Sequence, residues 1–425
     1  MNVELVNTGS ELMLGRILNT HQQWLCRRLA DLGHLVTRQV AVADTGADIQ
    51  TAVREALSRA DLVITTGGLG PTSDDITREL IAQLLERKLQ PNAEVRKHIE
   101  AFFAQRGRPR PAMTDVETMV PEGAQVILNP TGTAPGLAIP TGRRDAKQWL
   151  IMLPGPPREL RPMFDQSVVP LLQREFAREI FVCRTLRTTG IGESRVQEMI
   201  EADLQAFVKQ GMGVGYCARP GAVDVRLTAT GMPATLLVAS AEVAVQTLLK
   251  PNIYGYDDNE IEQVVVQLLK AQKKSVALAE SCTGGLIGHR LTNVPGASTV
   301  FWGGVISYAN AAKENLLGVQ AKTLRQYGAV SEPVAREMAV GAREKFGSDF
   351  ALAVTGIAGP DVGTLEKPVG TVFVALAAPD RVTVEQRLNP WDRLTFKDVT
   401  ATQALELLRR RLVAGQALAD QGTGR

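Results

Sequence analysis

The sequence predicts an α/β protein in which two three-layer α/β domains with mainly parallel sheets are joined by a small α+β domain. Strand-like and helix-like runs alternate through the first and last parts of the 425 residues, a pattern typical of βαβ units. In the middle part, shorter runs alternate with period two, as antiparallel strands do. We expect the domains to cover residues 1–168, 169–253 and 254–425.

Composition and charge are those of an ordinary soluble protein. Hydrophobic residues make up 44% and charged residues 22%, and 47 basic residues nearly balance 45 acidic ones, for a net charge of +2. With basic and acidic residues nearly balanced, the protein has no strong electrostatic potential that would favour nucleic acid or a membrane as a partner. The chain has no apolar run of about 18 residues and no signal-peptide pattern at its start. We therefore expect a cytoplasmic protein.

Cysteine usage indicates neither a disulfide framework nor a zinc site. The four cysteines are far apart and show no C-x-x-C spacing; they are Cys26, Cys183, Cys217 and Cys282. We expect each of them to be a reduced, buried thiol.

Clear periodicity marks the elements of the first domain. The expected elements are a strand in "VELVNTG" (3–9), a helix from Ile49 to Leu57, a strand in "DLVITTGG" (61–68) and a helix in "ITRELIAQLLE" (76–86). Asp74 and Asp75 precede the last helix, where acidic side chains match the positive end of the helix and cap its free N–H groups. Proline predicts loops in "RGRPRPAM" (106–113) and "LPGPPREL" (153–160).

The elements of the other two domains follow in order. The middle domain is expected to have strand, turn and helix over 184–204 and a strand over 222–231, before the turn-rich "KPNIYGYDDNE" (250–260). The third domain then begins with helix, strand, glycine turn and helix over 261–293. Further strands are expected in "VFWGGVISY" (300–308), "DFALAVTGIAG" (349–359) and "GTVFVALAA" (370–378).

The run "ESCTGG" (280–285) offers three neighbouring nucleophiles, Ser281, Cys282 and Thr283. A turn between a buried strand and a helix exposes backbone N–H groups that suit an oxyanion or a phosphate. The alternative is purely structural, because serine and threonine are good helix caps and the glycines could serve close packing. The run matches neither G-x-S-x-G nor a Walker loop.

Histidine does not supply a base for this run. Of the four histidines, only His289 lies in the third domain, and eight helical residues separate it from Ser281 by about 12 Å. A lysine with a lowered pKa or a tyrosine relay can activate a serine instead. The run "GGVISYANAAKENLLG" (303–318) contains a tyrosine and a lysine that could take these roles, Tyr308 and Lys313. They could both reach Ser281 if Tyr308 ends a strand and Lys313 lies in the first turn of the next helix, at the same edge of the sheet.

A third polar strand end lies in "AVTGIAGPDVGTLEKPVGT" (353–371). It offers Thr355 and the backbone N–H groups from Gly356 to Gly359, followed by a loop rich in glycine and proline. Loops of this type bind phosphates or sugars. A turn-rich connection without a function is the alternative.

Together, these three stretches resemble the nicotinamide-nucleotide amidase domain of the CinA family over about residues 258–418. "ESCTGG", the Tyr-x-Asn-x-x-Lys run (308–313) and "GIAGP" (356–360) occur in this order. The resemblance implies that Ser281 attacks the carboxamide of nicotinamide mononucleotide, that Tyr308 and Lys313 activate it, and that no cofactor is needed. The products would be nicotinic acid mononucleotide and ammonia.

The same resemblance implies a set of substrate-binding residues. The loop positions that would surround the nucleotide are Thr355, Gly356, Ala358 and Gly359, and the first turn would donate to the oxyanion or phosphate through Thr283 and Gly284. Arg393 in "WDRLTF" is a further candidate for a phosphate contact. There Trp391 replaces the glycine of the family's more usual glycine-aspartate-arginine run.

The first domain resembles the molybdopterin-binding fold through "TTGGLGPTSDDITRE" (65–79). Asp75 occupies the aspartate position of that glycine-rich loop. Asp74 stands where molybdenum-cofactor enzymes often have arginine, and Ser10 stands where related domains have aspartate. Both departures weaken a molybdopterin assignment, and the resemblance to full-length CinA proteins implies metal-dependent hydrolysis of ADP-ribose to AMP and ribose phosphate.

This second activity would use glycine N–H groups as a phosphate cradle and paired carboxylates as cation ligands. The implied phosphate or nucleotide contacts are Gly67, Gly68, Gly70, Asn129, Thr131, Gly132, Pro154 and Gly155. Asp74 and Asp75 would hold Mg²⁺, Mn²⁺ or Co²⁺; helix capping is their alternative role.

The middle domain resembles the KH-like insert of the same proteins. Its "GIGE" (190–193) is not a full G-x-x-G nucleic-acid clamp with basic flanks, so we expect a structural or dimerising role. The expected partners are nicotinamide mononucleotide, ADP-ribose and a second copy of the chain, without nucleic acid or membrane. The alternative to an enzyme is a catalytically silent binding protein associated with competence or recombination.

Overall fold

A computed structural model describes residues 1–142, 147–176, 180–360 and 363–422, the last seven of them by backbone alone. Contacts divide the chain into two compact units. The first contains Met1–Phe181 and Thr230–Met232, and the second contains the described chain from Val182 onwards except for that short segment. Residues 361–362 of the glycine- and proline-rich loop lie outside the described residues.

The first unit is built on a six-stranded sheet with the order β2-β1-β3-β8-β7-β6. Its strands β2, β1, β3 and β8 are parallel, whereas β7 and β6 pair antiparallel. A separate antiparallel pair joins β4 and β5. The bounds are β1 (Val3–Thr8), β2 (Val36–Val42), β3 (Leu62–Thr66), β4 (Leu89–Pro91), β5 (Met119–Pro121), β6 (Gln125–Ile127), β7 (Gly136–Pro140) and β8 (Trp149–Leu153).

Helices cover both faces of this sheet and make three layers. They are α1 (Ser10–Met13), α2 (Thr20–Asp31), α3 (Gly46–Arg59), α4 (Thr77–Leu84), α5 (Ala93–Ala104), α6 (Pro157–Met163) and α7 (Val169–Glu175), with a 3-10 helix at Ala112–Thr118. One core packs α2, α6 and α7 on the sheet, and the other packs α3, α4 and α5 on the opposite face. Strands β1 and β3 are buried throughout, because both of their faces are covered.

The second unit contains two sheets. A four-stranded sheet has the order β10-β11-β9-β12, and a five-stranded sheet has the order β14-β13-β15-β16-β17. The bounds are β9 (Phe181–Thr189), β10 (Gly213–Arg219), β11 (Ala222–Thr230), β12 (Ile253–Tyr256), β13 (Val276–Glu280), β14 (Phe301–Ile306), β15 (Phe350–Gly356), β16 (Thr371–Ala377) and β17 (Val382–Leu388). In the five-stranded sheet β14, β13 and β15 are parallel, and β16 and β17 are antiparallel.

The helices of this unit are α8 (Glu193–Val208), α9 (Ala234–Leu249), α10 (Ile261–Gln272), α11 (Leu286–Thr292), α12 (Asn310–Leu317), α13 (Ala321–Tyr327), α14 (Glu332–Phe346) and α15 (Arg393–Gly422). Helices α8 and α9 pack on the four-stranded sheet. The five-stranded sheet packs α10, α11 and α15 on one face and α12, α13 and α14 on the other. The predicted α/β fold class, with its α+β middle domain, is thus confirmed.

Three local expectations were wrong. Cys282 is buried and Cys26 half-buried, but Cys183 and Cys217 are exposed, because each lies at an outward-facing position of a strand in the four-stranded sheet. The stretch "LPGPPREL" is not all loop, because α6 begins at Pro157. Proline is favoured at the first helical position, where its missing N–H would have had no partner. The turn-rich stretch 250–260 contains β12, which pairs with β9 through a register shift between Ile253 and Gly255. No helix among the described residues is long and apolar enough to cross a membrane.

Candidate active site

Three parallel strands of the five-stranded sheet end at one edge. The register pairs Glu280 at the end of β13 with Ile306 of β14 and with Val354 of β15. Carboxyl ends of parallel strands are where α/β proteins place their sites. The "ESCTGG" turn, the segment from Ser307 to Lys313 and the loop after β15 therefore leave the sheet side by side, as the sequence predicts.

Ser281 and Lys313 meet at this edge. Ser281 is fixed by its backbone N–H, which donates to the carbonyl of Val354 at 3.0 Å, and its side chain is mostly buried. Lys313 lies in the first turn of α12, and its Nζ is 3.1 Å from the Ser281 Oγ. The lysine is only 1% exposed. The structure thus joins the predicted nucleophile to one of its two predicted activators.

The surroundings of Lys313 favour the neutral amine. Its Nζ donates to the backbone carbonyls of Ser307 at 2.8 Å and Tyr308 at 3.3 Å, and in the described chain it has no carboxylate partner. Burial lowers the pKa of Lys313. A neutral amine has two N–H donors and one lone pair, so the two carbonyls can take the donors while the lone pair faces the Ser281 hydroxyl. This arrangement can carry a proton from serine to lysine.

The other two nucleophiles of the run are occupied differently. Cys282 is buried in the core, and burial raises the pKa of its thiol to about 12, so the thiol stays protonated near neutral pH. Thr283 is fully buried, and its hydroxyl donates to Glu280 Oε2 at 2.7 Å. The N–H of Gly284 donates to the carbonyl of Ser281 at 3.1 Å. The groups of Thr283 and Gly284 expected to face the substrate therefore serve the turn itself.

Glu280 organises the turn around Ser281, a role that the sequence did not reveal. Its carboxylate is 2% exposed and accepts hydrogen bonds from three N–H groups at the start of α11, those of Gly285 at 2.9 Å, Ile287 at 3.1 Å and Gly288 at 2.8 Å. An acidic side chain just before a helix is a capping signal, but here the cap reaches across a five-residue turn. It fixes the turn that presents Ser281.

Tyr308 and Arg393 form a second contact at the edge. The Tyr308 phenol is 60% exposed and accepts a hydrogen bond from Arg393 Nη2 at 2.6 Å, so it is the backbone carbonyl of Tyr308 that contacts Lys313. Arg393 Nη1 also donates to the carbonyl of Gly359 at 2.9 Å. The first residue of α15 therefore connects two of the three site loops.

The loop after β15 is held by contacts within the fold, and the N–H of Ile357 donates to the Thr371 carbonyl at 2.8 Å. The Thr355 hydroxyl donates to the carbonyl of Ala329 at 2.8 Å, and the Ala358 methyl packs in the core. Gly356 and Gly359 leave no room for a side chain, because a Cβ would come within 2.9 Å of the Thr371 carbonyl or 2.7 Å of Val369. Among these predicted positions, side-chain recognition of a substrate is thus left to Arg393.

Lys397 is a second residue that the sequence analysis missed. It lies one turn after Arg393 in α15, and residues spaced by four share a helix face. Its Nζ is 3.8 Å from the place a Cβ would take on Gly284. The four-residue spacing from Arg393 could have indicated in the sequence that Lys397 lies on the same helix face. Two cations of α15 thus approach loops of the site.

The predicted residues of the first unit gather around a separate cavity of about 520 Å³. Its lining includes Gly67, Gly68, Gly70, Asp74, Asp75, Thr131, Gly132, Pro154 and Gly155. Asn129 lies behind this wall, fully buried, where it donates to Glu159 Oε2 at 2.8 Å and accepts from the Thr131 N–H at 3.1 Å. Its contact with the cavity is therefore indirect.

The carboxylates at this cavity do not complete a metal site. Asp75 Oδ2 accepts the Thr72 N–H at 3.1 Å and the Thr72 hydroxyl at 2.5 Å, so it closes the turn before α4. Among the described residues, no group of three or more His, Cys, Asp or Glu side chains could hold a metal ion. The cation-binding role of Asp74 and Asp75 stays a prediction.

Comparison with known proteins identifies the family. The CinA-like protein of Akkermansia muciniphila is 44% identical over 406 residues, which cover 95% of this chain and 96% of that protein. The chain belongs to the CinA family. Family models match three consecutive parts of it: a probable molybdopterin binding domain over 4–174, a damage-inducible protein CinA KH domain over 183–255 and a CinA C-terminal domain over 258–412.

Solved structures of CinA proteins match part of the chain. The competence/damage inducible protein CihA from Agrobacterium tumefaciens is 41% identical, covers 35% of this chain and 91% of its own, and has a TM-score of 0.34. The protein CinA from Thermoplasma acidophilum is 30% identical, covers 41% of this chain and 96% of its own, and has a TM-score of 0.36. The resemblance to the CinA family inferred from the motifs is confirmed by the family models and relatives.

Proposed function

We propose that the C-terminal part of this CinA protein hydrolyses the carboxamide of nicotinamide mononucleotide to nicotinic acid mononucleotide and ammonia, a reaction of pyridine nucleotide salvage. The observation that carries the proposal is the 3.1 Å contact between Lys313 Nζ and Ser281 Oγ, made by a lysine that is 1% exposed. A serine paired with a buried lysine is an activated nucleophile suited to acyl transfer.

The first half of the reaction acylates Ser281. Its Oγ attacks the carboxamide carbon while the neutral amine of Lys313 takes the hydroxyl proton. The C–N bond of the tetrahedral intermediate then breaks, and the protonated Lys313 returns the proton to the departing nitrogen. Ammonia leaves, and the nicotinoyl group remains as an ester of Ser281.

The second half releases the product. A water molecule attacks the ester carbon, and Lys313 accepts one of its protons. As the bond to Ser281 Oγ breaks, Lys313 returns that proton to the serine. The product leaves as nicotinic acid mononucleotide, whose carboxyl group loses its proton to solvent, and the free enzyme is restored without a cofactor.

Arg393 and Lys397 are proposed to hold the 5′-phosphate of the substrate. Both are cations on α15, and both approach loops that flank Ser281. Guanidinium and ammonium groups bind phosphate by charge-assisted hydrogen bonds. The phosphate would anchor the nucleotide while the carboxamide reaches the serine.

An ammonia-release assay with the purified chain and nicotinamide mononucleotide tests this proposal. Wild type should release ammonia and Ser281→Ala should release none, while Cys282→Ala, the matched change one residue away, should keep at least about half of the activity. Wild type without ammonia release would support the alternative of a silent binding protein. Unchanged release by Ser281→Ala would exclude this nucleophile.

For the N-terminal part, we propose binding and hydrolysis of the phosphoanhydride of ADP-ribose. The supporting observation is that the glycine-rich loop and the other predicted loops share the cavity of about 520 Å³. AMP formation with Mg²⁺, Mn²⁺ or Co²⁺ tests this activity, and Asp75→Asn tests the cation role. Hydrolysis that persists at the wild-type rate in Asp75→Asn would remove that role.

A further inference from the structure

Glu117 lies in the wall of the N-terminal cavity and had no role in the sequence analysis. It belongs to the 3-10 helix Ala112–Thr118, is fully buried, and lines the cavity together with the glycine-rich loop. A buried carboxyl group at a ligand cavity is costly unless it is paired or protonated. We therefore expect hydrogen-bond partners for both carboxyl oxygens of Glu117.

Within the part of the chain that the structure describes, one of its two oxygens has a protein partner and the other has none. Oε1 accepts a hydrogen bond from the Thr133 hydroxyl at 3.0 Å, whereas Oε2 has none. Six buried side-chain N or O atoms of the described residues lack a partner, and Glu117 Oε2 is the one among them whose residue lines this cavity. Buried polar atoms nearly always have a hydrogen-bond partner, so a buried atom without one in a residue that lines a cavity points to a ligand.

The charges around Glu117 favour its neutral form. The pKa of Glu117 is raised to about 7, mainly by burial, with smaller contributions from the carboxylates of Asp75 and Glu159. The hydrogen bond from the Thr133 hydroxyl and the Arg78 guanidinium act in the opposite direction. Arg78 itself donates to the Leu69 carbonyl and to Glu79. The cavity wall is otherwise rich in carboxylates, with Glu11, Asp44 and Asp74 besides these, and Arg158 as its cation.

We infer that Glu117 is a ligand-contacting residue of the N-terminal cavity, which donates its carboxylic O–H to a phosphate oxygen of a nucleotide phosphoanhydride. The inference rests on the N-terminal binding function proposed above and assigns a residue to it. A neutral acid can donate to an anionic phosphate, whereas the ionised carboxylate would repel it. Ligand binding would therefore retain or take up one proton at Glu117.

Titration calorimetry of the full chain with ADP-ribose and EDTA tests the inference, because EDTA prevents metal-dependent hydrolysis. The diphosphate keeps its charge between about pH 6 and 8.5, so a change in affinity reports on the protein. Wild-type affinity should fall by about tenfold per pH unit above the pKa of Glu117, with uptake of about one proton near pH 8. Glu117→Gln keeps a donor but cannot titrate, and should bind with an affinity that varies less than about twofold.

Two control variants separate other causes. Glu122→Gln makes the same change at an exposed position five residues away and should behave as wild type. His98 contacts the cavity wall from outside the lining, with its Nε2 3.2 Å from the carbonyl of the lining residue Gly132, and His98→Gln should keep the proton uptake.

The outcomes are distinguishable. Binding without proton uptake in wild type, or the same pH dependence in Glu117→Gln, would overturn the role of Glu117 and leave the N-terminal binding function standing. If Glu117→Gln does not fold, the wild-type proton uptake still decides. Absence of ADP-ribose binding at every pH would overturn this inference, and absence of AMP formation with Mg²⁺, Mn²⁺ or Co²⁺ as well would overturn the N-terminal function.

Discussion

Lys313 carries the chemistry at the scale of single residues. Water normally keeps a lysine charged, but Lys313 is 1% exposed. Its hydrogen-bond partners among the described residues are neutral oxygens, those of Ser281, Ser307 and Tyr308. Desolvation penalises the ammonium form, and two backbone carbonyls partly compensate. Ser281 therefore faces a group whose charge state depends on pH.

The first prediction concerns the pH dependence of kcat/KM for nicotinamide mononucleotide. Because the pKa of Lys313 is lowered, the active neutral amine forms as pH rises through a value below the ordinary lysine pKa of about 10.4. The rate should rise with pH on that limb. Lys313→Arg keeps charge and donors but cannot accept a proton, and should lose at least about 100-fold in kcat. An arginine variant that keeps the wild-type rate, or a rising limb centred at or above the ordinary lysine pKa, would contradict this role.

The second prediction concerns Glu117 and the stability of the ligand-free protein. Its folded-state pKa of about 7 lies above the ordinary value, so the folded state binds more protons and loses stability as pH rises from about 4.5 to 7. Glu117→Gln should be more stable than wild type at pH 8, by roughly 2 kcal/mol, and much less so at pH 5. Urea unfolding followed by circular dichroism measures both differences. Equal differences at the two pH values would rule out an abnormal pKa.

At the scale of elements, the start of α11 determines where Ser281 lies. Glu280 is the last residue of β13, and its carboxylate caps α11. One buried side chain therefore holds the strand, the turn and the helix together. Helix starts without a partner leave N–H groups unsatisfied, which is most costly in a buried setting.

The third prediction is that Glu280→Ala destabilises the protein by roughly 3 kcal/mol or more, because three N–H groups and the Thr283 hydroxyl lose their acceptor. Glu280→Gln keeps one carbonyl oxygen and should cost less. The free energy of unfolding in urea measures both. Glu344→Ala, a change at an exposed helical position, is the control. A cost for Glu280→Ala no larger than for this control would contradict the capping account.

The fourth prediction concerns Arg393, which joins the Tyr308 phenol to the Gly359 carbonyl. Arg393→Ala should raise KM for nicotinamide mononucleotide by roughly tenfold and change kcat less, because it removes charge-assisted hydrogen bonds and no proton acceptor. Tyr308→Phe removes only the phenol hydroxyl and should have the smaller effect. Steady-state measurement of kcat and KM for wild type, Arg393→Ala and Tyr308→Phe tests this prediction. A large loss in kcat for Tyr308→Phe would instead support the activating role that the sequence analysis gave to this residue.

At the scale of the whole molecule, the sequence predicted most of the strands that carry the site. The apolar runs of β13, β14 and β15 are long enough to identify, and parallel strands bring their carboxyl ends to one edge. Strand β17 was not predicted, because it lies at the sheet edge and its side chains are partly exposed and polar. Strand β12 lies within a turn-rich stretch and depends on its pairing with β9.

Partners of individual side chains were less predictable than the strands. The sequence places Thr283 beside the nucleophile, but its bond to Glu280 follows from the fold of the turn. The contact of the Tyr308 phenol with Arg393 joins residues 85 positions apart, beyond the reach of local spacing. Burial, which lowers the pKa of Lys313 and raises that of Glu117, likewise depends on tertiary packing. A homodimer remains a prediction from the family resemblance.

The covalent intermediate is the most direct test of the whole account. Wild type would be mixed with nicotinamide mononucleotide, quenched in acid within the first turnovers, digested and analysed by mass spectrometry. We predict a nicotinoyl mononucleotide ester on the peptide that contains residues 280–285, located by fragmentation at Ser281, absent from Ser281→Ala and present in Cys282→Ala. An adduct on Cys282 or Thr283, or ammonia release by Ser281→Ala at the wild-type rate, would contradict it.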